Sequence, residues 1–365
     1  MEDKSLIRTL YLLPEPGTQG GMTAITKMYY ETGLFEKSNT SHFNTSFKSS
    51  NKLLRTAEGM LMKLKYLLIL FRFKPHVVHV MTSSYWGFYD KCIYCIIARV
   101  CGIKSILNPV GGGFSDFYEG SLFHKRCVNI AIKFPNAIVV GSSYWESYFK
   151  DKFKNIRIQN IPNPVNSSVY LRKNRTYKEQ NRVNIISVSN IIDTKGIREL
   201  CIVIRELVKT VDTVDFDVLG DGELRPSLES KLAGEIADGR VRILGFVSDD
   251  FKRDCLLKAD IFIMLSYFEV IPISILEAMS ASLPVISTNV GGIPDLVDEG
   301  INGYLVQPTQ TKEVVARLIE MCAFSNEELA AFGESGNLKI QENYDVYSVI
   351  KKHEKLSYQI IKQQE

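Results

Sequence analysis

The sequence predicts two α/β domains in tandem, each built around a doubly wound parallel sheet. Short runs rich in Val and Ile alternate with longer helical patterns along most of the 365 residues. This alternation is typical of parallel strands joined by crossover helices. It is interrupted by a polar stretch at residues 160–181 and then begins again. A length of about twice the commonest domain size favours the same division.

The candidate strands fall into two series that flank the polar stretch. The first series is LIRTLYLLP (6–14), PHVVHVMTS (75–83), SILNPV (105–110) and AIVVGSS (137–143). The second is NIISVSN (184–190), FDVLGDG (216–222), VRILGFV (241–247), ADIFIMLSY (259–267), LPVISTN (283–289) and GYLVQP (303–308). We therefore predict domains at 1–164 and 165–343, with a helical segment at 344–365 that packs back on the first domain.

Composition excludes several classes of protein. With 45% hydrophobic and 23% charged residues and a net charge of +3, the chain has the composition of a folded protein, not a disordered one. No run of eighteen apolar residues and no signal-peptide pattern occurs, which favours a cytoplasmic protein. The seven cysteines are an odd, scattered set, so we expect reduced thiols. Cys92 and Cys95 lack a second ligand pair for zinc.

Residues 41–76 carry a local excess of positive charge, with seven Lys or Arg against the single acidic residue Glu58. The lysines are interleaved with Leu, Ile and Phe in MLMKLKYLLILFRF (60–73). This pattern fits an amphipathic helix on an anionic membrane surface. It equally fits a helix that faces the core and has a solvated basic side. Nucleic-acid binding is disfavoured because no nucleic-acid motif is present.

The most informative loop lies in the second half, because ligands of parallel sheets bind beyond the carboxyl ends of the strands. A strand is expected to end near Ser266, followed by a loop with Glu269 and a helix that starts at Pro272. Proline suits the first helical position, since its missing N–H would have no partner there. The next N–H groups then form a site for a phosphate or diphosphate.

Two glutamates belong to this region. Glu277 lies in the apolar stretch IPISILEAM (271–279), so its carboxylate needs a donor if it is buried. Ribose hydroxyls would supply one, and Glu269 would reach sugar hydroxyls from the loop. The alternative is that Glu277 pairs with a neighbouring basic side chain and that Glu269 is solvated.

Four short stretches resemble the E-x7-E region of the retaining glycosyltransferases of family 4, which have the GT-B fold. They are SYFEVIP (266–272), LEAM (276–279), LPVI (283–286) and GGIPDLV (291–297). The resemblance continues, in the family's order, at Gly20–Gly21, Val188–Gly196, Gly245–Val247 and Gly300–Gly303. It implies two Rossmann-like domains that face a central cleft, with the acceptor bound by the first and a nucleotide-sugar by the second.

The resemblance also implies a role for each matching residue. Lys195 and Glu269 are the implied catalytic residues: Lys195 stabilises the leaving diphosphate and Glu269 holds the donor sugar. The other implied donor-binding residues are Gly20, Gly21, Asn190, Val247, Pro272, Ile273, Ser274, Ile275, Leu276 and Glu277. The implied acceptor-side residues are Asn108, Gly111 and Gly112. The resemblance implies no cofactor and no metal, because Lys195 and the helix end do the work of a cation. The lack of a DxD-like motif in a suitable loop agrees with this.

Four positions depart from the family's pattern. Asn190 replaces an arginine that commonly partners the lysine, while Val270 and Ser282 replace glycines. Val110 stands where the family often carries histidine before the glycine run, and valine neither donates nor accepts a hydrogen bond. The first of these changes leaves diphosphate neutralisation more dependent on Lys195, and the others alter the sugar pocket.

The resemblance therefore implies an enzyme that moves a sugar, with retention, from a nucleotide-sugar to a hydroxyl of a glycan or a lipid-linked oligosaccharide. We favour a uridine diphosphate sugar over guanosine diphosphate mannose. Surface polysaccharide synthesis at the inner face of a membrane is the implied setting. The alternatives are a non-catalytic nucleotide-sugar-binding subunit and a GT-B-fold nucleotide-sugar epimerase.

Overall fold

The computed structural model describes residues 7–17, 20–47, 49, 51–111, 113–171, 176–178 and 181–362. Gly112, predicted on the acceptor side, and the basic residue Lys48 lie outside the described residues. The chain divides into two units: the first runs to Asn163 and includes the segment from Val346 onward, and the second is Pro164–Asp345.

The first unit contains a six-stranded parallel sheet in the order β2-β1-β3-β4-β5-β6. Its strands are β1 (Thr9–Leu13), β2 (Thr40–Asn44), β3 (Val77–Thr82), β4 (Lys104–Pro109), β5 (Ala137–Val140) and β6 (Ile158–Asn160). Its first six helices are α1 (Gly21–Glu31), α2 (Lys52–Phe73), α3 (Trp86–Val100), α4 (Phe114–Glu119), α5 (Leu122–Ala131) and α6 (Ser143–Lys152).

The second unit repeats the design with the sheet order β12-β11-β10-β7-β8-β9, all parallel. Its strands are β7 (Val183–Val188), β8 (Val214–Leu219), β9 (Val241–Gly245), β10 (Ile261–Met264), β11 (Val285–Thr288) and β12 (Gly303–Val306). Its helices are α7 (Ile197–Thr210), α8 (Arg225–Lys231), α9 (Ala233–Ala237), α10 (Asp249–Lys258), α11 (Ile273–Ser280), α12 (Thr311–Ala323) and α13 (Asn326–Asn343). Short 3-10 turns span Ser167–Tyr170, Asp193–Lys195 and Ile293–Asp295 in this unit and Leu34–Glu36 in the first unit.

The last helix, α14 (Val346–Lys362), belongs to the first unit. Its Val349 and Leu356 share a core cluster with Val77 and Ile106 from the sheet. A buried hydrogen bond of 2.8 Å joins His79 Nε2 of β3 to Ser357 Oγ. The predicted fold class, two doubly wound α/β units with a C-terminal helix returning to the first, is confirmed.

Two strands were missing from the sequence prediction, β2 and β6. Both lie at the edges of the first sheet and their sequences, TSHFN and IQN, are short and half polar. An edge strand has one neighbour and is partly solvated, so it lacks the continuous apolar run that identifies a central strand.

Candidate functional site

The order of the second sheet reverses between β7 and β10. From β7 the chain proceeds through β8 to β9 on one side, and from β10 through β11 to β12 on the other. The loops that leave such neighbouring strands diverge and open a crevice at their carboxyl ends, which is where doubly wound sheets bind ligands. The loops concerned are residues 189–196 after β7 and 265–272 after β10.

Lys195 and Glu269 meet at this crevice. Lys195 ends a 3-10 turn, and the backbone N–H of Tyr267 donates to Thr194 O at 2.9 Å, so the two loops are bound together next to both residues. Lys195 Nζ lies 2.5 Å from Glu269 Oε1, with 22% of the lysine side chain and 10% of the glutamate side chain exposed. Glu269 is therefore ion-paired and not solvated.

Gly291 fixes the backbone of Glu269 from the next loop. A Cβ built on Gly291 would lie 1.8 Å from Glu269 O, and its φ of +55° is one that side chains disfavour. Any other residue at 291 would displace the loop that carries Glu269.

The helix after this loop begins one residue later than predicted. Pro272 is the residue before α11, with φ −73° and an extended ψ of 121°, so the prediction that Pro272 opens the helix is wrong. Proline fixes φ but leaves ψ free. The sequence therefore does not distinguish a proline that is the first residue of the helix from one that directly precedes it. The first intrahelical bonds run from Ile275 N and Leu276 N to Pro272 O. The N–H groups of Ile273 and Ser274 precede them at a helix end suited to an anion.

Glu277, in the second turn of α11, already has donors. Lys252 Nζ of α10 lies 2.6 Å from Glu277 Oε1, and the Tyr170 hydroxyl is hydrogen-bonded to the same carboxylate. Burial by itself would lower the pKa of Lys252, but the carboxylates of Glu277 and Asp249 together outweigh burial and raise this pKa above its ordinary value. The structure thus agrees with the alternative stated above, in which Glu277 pairs with a basic side chain.

Lys252 and Tyr170 were not foreseen. The requirement that a buried carboxylate have a donor predicts that a partner exists. It does not name one, because Lys252 lies 25 positions before Glu277 and Tyr170 lies in the polar stretch between the two series of strands. Packing of α10 and the 3-10 turn Ser167–Tyr170 against α11 brings them there.

The remaining donor-side residues of the second unit follow other strand ends. Asn190 is exposed two residues beyond β7, and its carbonyl accepts from Ile192 N at 3.0 Å. Val247, two residues beyond β9, is half-buried and packs on the core cluster that includes Leu276. Val270, one of the departures from the family pattern, is buried.

The first unit holds the other predicted site residues. Gly20 and Gly21 lie at the start of α1, where Gly20 has φ 137°. Asn108 lies in β4 level with Met81 of β3. Gly111 follows two residues after β4, so close to β3 that a Cβ there would lie 3.0 Å from Ser83 Cα.

Val110 is buried beside them, and its N–H donates to Thr82 O at 3.0 Å.

Among the described residues, no three His, Cys, Asp or Glu side chains are grouped to hold a metal ion. Within the same part of the chain, no helix has the length and apolar character needed to cross a membrane.

Part of the chain matches a known family of enzymes. Residues 182–323 match the family model described as glycosyl transferases group 1. The chain is 26% identical over 215 residues to N-acetyl-alpha-D-glucosaminyl L-malate synthase of Bacillus anthracis, covering 56% of this chain and 54% of that protein. It is 27% identical over 145 residues to the amylovoran biosynthesis glycosyltransferase AmsK of Erwinia amylovora, covering 38% and 36%.

These matches span about half or less of the curated relatives' own length. Among solved structures, Anabaena HepE in complex with UDP superposes with a TM-score of 0.72 at 18% identity, covering 96% of this chain and all of that one. This likeness establishes the fold, which is that of the GT-B glycosyltransferases.

Proposed function

We propose, from the match of residues 182–323 to the group 1 glycosyl transferases, that the chain transfers a sugar from a UDP-sugar, with retention, to a hydroxyl of a glycan or lipid-linked oligosaccharide. The observation that carries the proposal is the Lys195–Glu269 ion pair at the switch point of the second sheet. Glu269 stands four positions before the first residue of α11, whose N-terminal N–H groups suit an anion.

Lys195 and the N-terminus of α11 bind the diphosphate in this proposal. A diphosphate bears more charge than a single carboxylate, so it competes with Glu269 for the Lys195 ammonium. Cationic and N–H groups held in place stabilise the charge that grows as the sugar–phosphate bond breaks. These groups do the work of a metal ion, and we propose that transfer needs none.

Glu269, once released from Lys195, accepts hydrogen bonds from hydroxyls of the donor sugar. The bond that breaks joins the anomeric carbon to the phosphate oxygen, and the bond that forms joins that carbon to the acceptor oxygen on the same face. The departing phosphate takes the acceptor's proton, so the products are UDP and the glycoside. This route uses no histidine at position 110.

The base and the sugar are proposed from the comparisons. HepE was solved with UDP, and the malate synthase of Bacillus anthracis is named for an N-acetylglucosaminyl group. We propose that uracil lies near Val247 and that the ribose hydroxyls donate to Glu277 in addition to Lys252 and Tyr170. The donor in this proposal carries a hexose or N-acetylhexosamine. The name of AmsK places that relative in amylovoran biosynthesis, which supports a surface polysaccharide as the product.

A membrane surface is the proposed location, and α2 is the proposed contact. Gly59, Tyr66 and Leu70 of α2 are buried, whereas the opposite side is apolar as well as basic. Its exposed apolar residues recur at spacings of three or four and are Leu61, Leu64, Leu68 and Phe71. The exposed cations Lys65 and Arg72 flank them. A core-facing helix needs only a polar outer side, so this apolar outer side favours an anionic leaflet.

Donor binding tests the proposed chemistry. We expect titration calorimetry without added metal to show binding of UDP and UDP-N-acetylglucosamine, with weaker binding of GDP. Lys195→Met should weaken UDP binding roughly ten- to hundredfold, since a charge-assisted contact is lost. Lys209→Met, which removes an exposed lysine of α7, is the matched control. No binding of any nucleotide would refute the proposal.

Turnover separates the proposal from the two alternatives. Slow hydrolysis of the donor, followed by proton NMR in the presence of EDTA, should release the free sugar first in the donor's own anomeric form. Binding without hydrolysis or transfer would favour a non-catalytic subunit. Conversion of the sugar while it stays attached to UDP would favour an epimerase.

Vesicle binding tests the proposed location. We expect co-sedimentation with vesicles of phosphatidylglycerol and phosphatidylcholine at low salt, weakened by Leu64→Ser together with Leu68→Ser. Raising the salt concentration should weaken it too, because salt screens the basic flank. Equal recovery with and without vesicles would remove α2 from the proposal and leave the donor chemistry unaffected.

A further inference from the structure

The first unit contains a cavity of about 970 Å³ at the point where its own sheet reverses. The chain leaves β1 toward β2 on one side and toward β3 on the other, so the crevice opens at the carboxyl ends of these strands. Pro14 follows β1, Thr45 follows β2 and Ser83 follows β3, and all three line the cavity. Helices α2 and α3 supply most of the remaining wall.

The wall is mainly apolar, and much of it is open to solvent. Its large apolar side chains include Phe47, Met60, Leu64, Leu67, Trp86 and Ile93. Met60, Leu64, Trp86 and Ile93 are exposed, so an occupant would remove them from water. Leu64 also belongs to the outer apolar side of α2, so the apolar lining continues onto that side of the helix.

The inner part of the wall carries an excess of positive charge. Asp90 accepts from both Lys63 and Lys91, with Asp90 Oδ2 2.8 Å from Lys91 Nζ. Asp90 is the one carboxylate among the described residues that line the cavity, whereas Lys63, Lys91 and Arg55 all line it. Two ammonium groups thus share one carboxylate, and the lining retains net positive charge.

The lysines of this cluster are held in place and largely shielded from water. Lys63 Nζ lies 5.0 Å from the ring centroid of Tyr94, and only 11% of the Lys91 side chain is exposed. Burial lowers the pKa of Lys91, although the Asp90 carboxylate opposes the shift. An additional anion at this cluster would compensate the second ammonium.

Two of the residues predicted on the acceptor side, Asn108 and Gly111, border the same cavity. Asn108 pairs in register with Met81, and Gly111 approaches Ser83; both Met81 and Ser83 are lining residues. This adjacency connects the cavity with the predicted acceptor side, whereas the predicted donor-binding residues other than Gly20 and Gly21 belong to the second unit.

We propose that this cavity binds the phosphate of a lipid-linked acceptor, with the phosphate at Lys63 and Lys91 and the apolar chain along α2 past Met60 and Leu64. The inference rests on the proposed function, whose acceptor class it specifies. A flexible ammonium suits a phosphate as a point charge, and an apolar chain buries side chains that water now contacts.

Trp86 provides a direct readout. The chain has two tryptophans: Trp86, 81% exposed and in the lining, and Trp145, 3% exposed. In a full-length Trp145→Phe background, dodecyl phosphate below its micelle concentration should shift the Trp86 emission to the blue and saturate. Dodecyl maltoside, which has the same chain and no charge, should bind at least tenfold more weakly.

Charge-removing variants then locate the phosphate. Lys91→Met and Lys63→Met should each weaken dodecyl phosphate binding roughly ten- to hundredfold. Lys150→Met, which removes an exposed lysine of α6 that does not line the cavity, should have no effect. Circular dichroism checks that each variant is folded. If Lys91→Met does not fold, Lys63→Met alone tests the position of the phosphate.

Three outcomes would overturn the inference: equal binding of the two dodecyl compounds, full saturation by inorganic phosphate at the same concentration, or equal binding by all lysine variants. UDP titration of the same samples keeps the two proposals distinguishable. If UDP binds and dodecyl phosphate does not, only the proposal about the cavity is refuted. If UDP does not bind, the proposal about the donor site is refuted.

Discussion

The ammonium of Lys195 lies 2.5 Å from the carboxylate of Glu269, although 74 positions separate the two residues in the sequence. Each of the two residues proposed to contact the donor is therefore neutralised by the other. Donor binding in this proposal exchanges one ion pair for another, so its net free energy is the difference between a Lys195–phosphate and a Lys195–carboxylate contact.

Glu269→Gln should bind UDP several-fold more tightly and transfer sugar at least tenfold more slowly. The neutral amide holds Lys195 less strongly than the carboxylate does, so UDP meets less competition, while the sugar loses a charged acceptor. Calorimetry with UDP and a turnover assay with a UDP-sugar measure the two effects. If Glu269→Gln instead binds UDP as weakly as Lys195→Met does, Glu269 and the diphosphate do not compete for Lys195.

Glu277→Ala should lower the free energy of unfolding of the second unit by about 1–3 kcal/mol. The change leaves the Lys252 ammonium, whose side chain is 19% exposed, and the Tyr170 hydroxyl without their common acceptor. Urea unfolding followed by circular dichroism gives the value. Glu229→Ala, which breaks the more exposed Arg225–Glu229 pair, should change it by less than about 0.5 kcal/mol.

If the two variants are equally stable, the Glu277 cluster is not structural. This comparison matters for nucleotide binding as well. A lowered melting temperature of Glu277→Ala combines lost packing with any lost ribose contact, so the midpoint shift on adding UDP must be compared within each variant.

Ser282→Gly should stabilise the second unit by about 0.5–1 kcal/mol. Ser282 has φ +57°, a left-handed conformation that costs a residue with a side chain roughly 1–2 kcal/mol. The greater freedom of glycine in the unfolded chain offsets part of the gain. Urea unfolding measures the difference, and Ser282→Ala, which keeps the unfavourable φ, should bring no gain. A glycine variant less stable than the alanine variant would contradict the explanation.

Acid should destabilise the first unit through His79 and His353. Burial lowers the pKa of His353 to about 4, and burial together with the nearby His353 lowers the pKa of His79 well below its usual range. In the unfolded chain both titrate near 6.5. Unfolding therefore takes up protons between pH 6.5 and about 4, and the free energy of unfolding falls there by up to ~1.4 kcal/mol per pH unit for each histidine.

Above pH 7 these two histidines contribute no pH dependence. Both tryptophans belong to the first unit, so urea unfolding followed by tryptophan fluorescence at several pH values reports on it. His353→Met should reduce the slope between pH 5 and 6.5 relative to the wild type. An unchanged slope would mean that other groups cause the acid sensitivity.

Sequence alone predicted the parts of the fold that depend on local pattern. Central strands such as β3 and β10 are buried on both faces and read as continuous apolar runs, whereas β2 and β6 are partly polar edges. In the site, the sequence predicted that Glu277 needs a donor. It could not identify Lys252 as that donor, because the contact depends on how α10 packs on α11. The first residue of α11 was misplaced because proline at 272 fits both sides of a helix boundary.

The return of α14 to the first unit makes the second unit an insertion within the first. The two ends of that insertion are adjacent, since Val165 N donates to Tyr344 O at 2.9 Å and Ser167 Oγ to Asp345 at 2.7 Å. During synthesis the second unit is thus complete while the sheet face around Val77 and Ile106 still lacks its cover from Val349 and Leu356. The first unit, whose strands leave the ribosome before the second unit does, cannot complete its core until α14 has been synthesised.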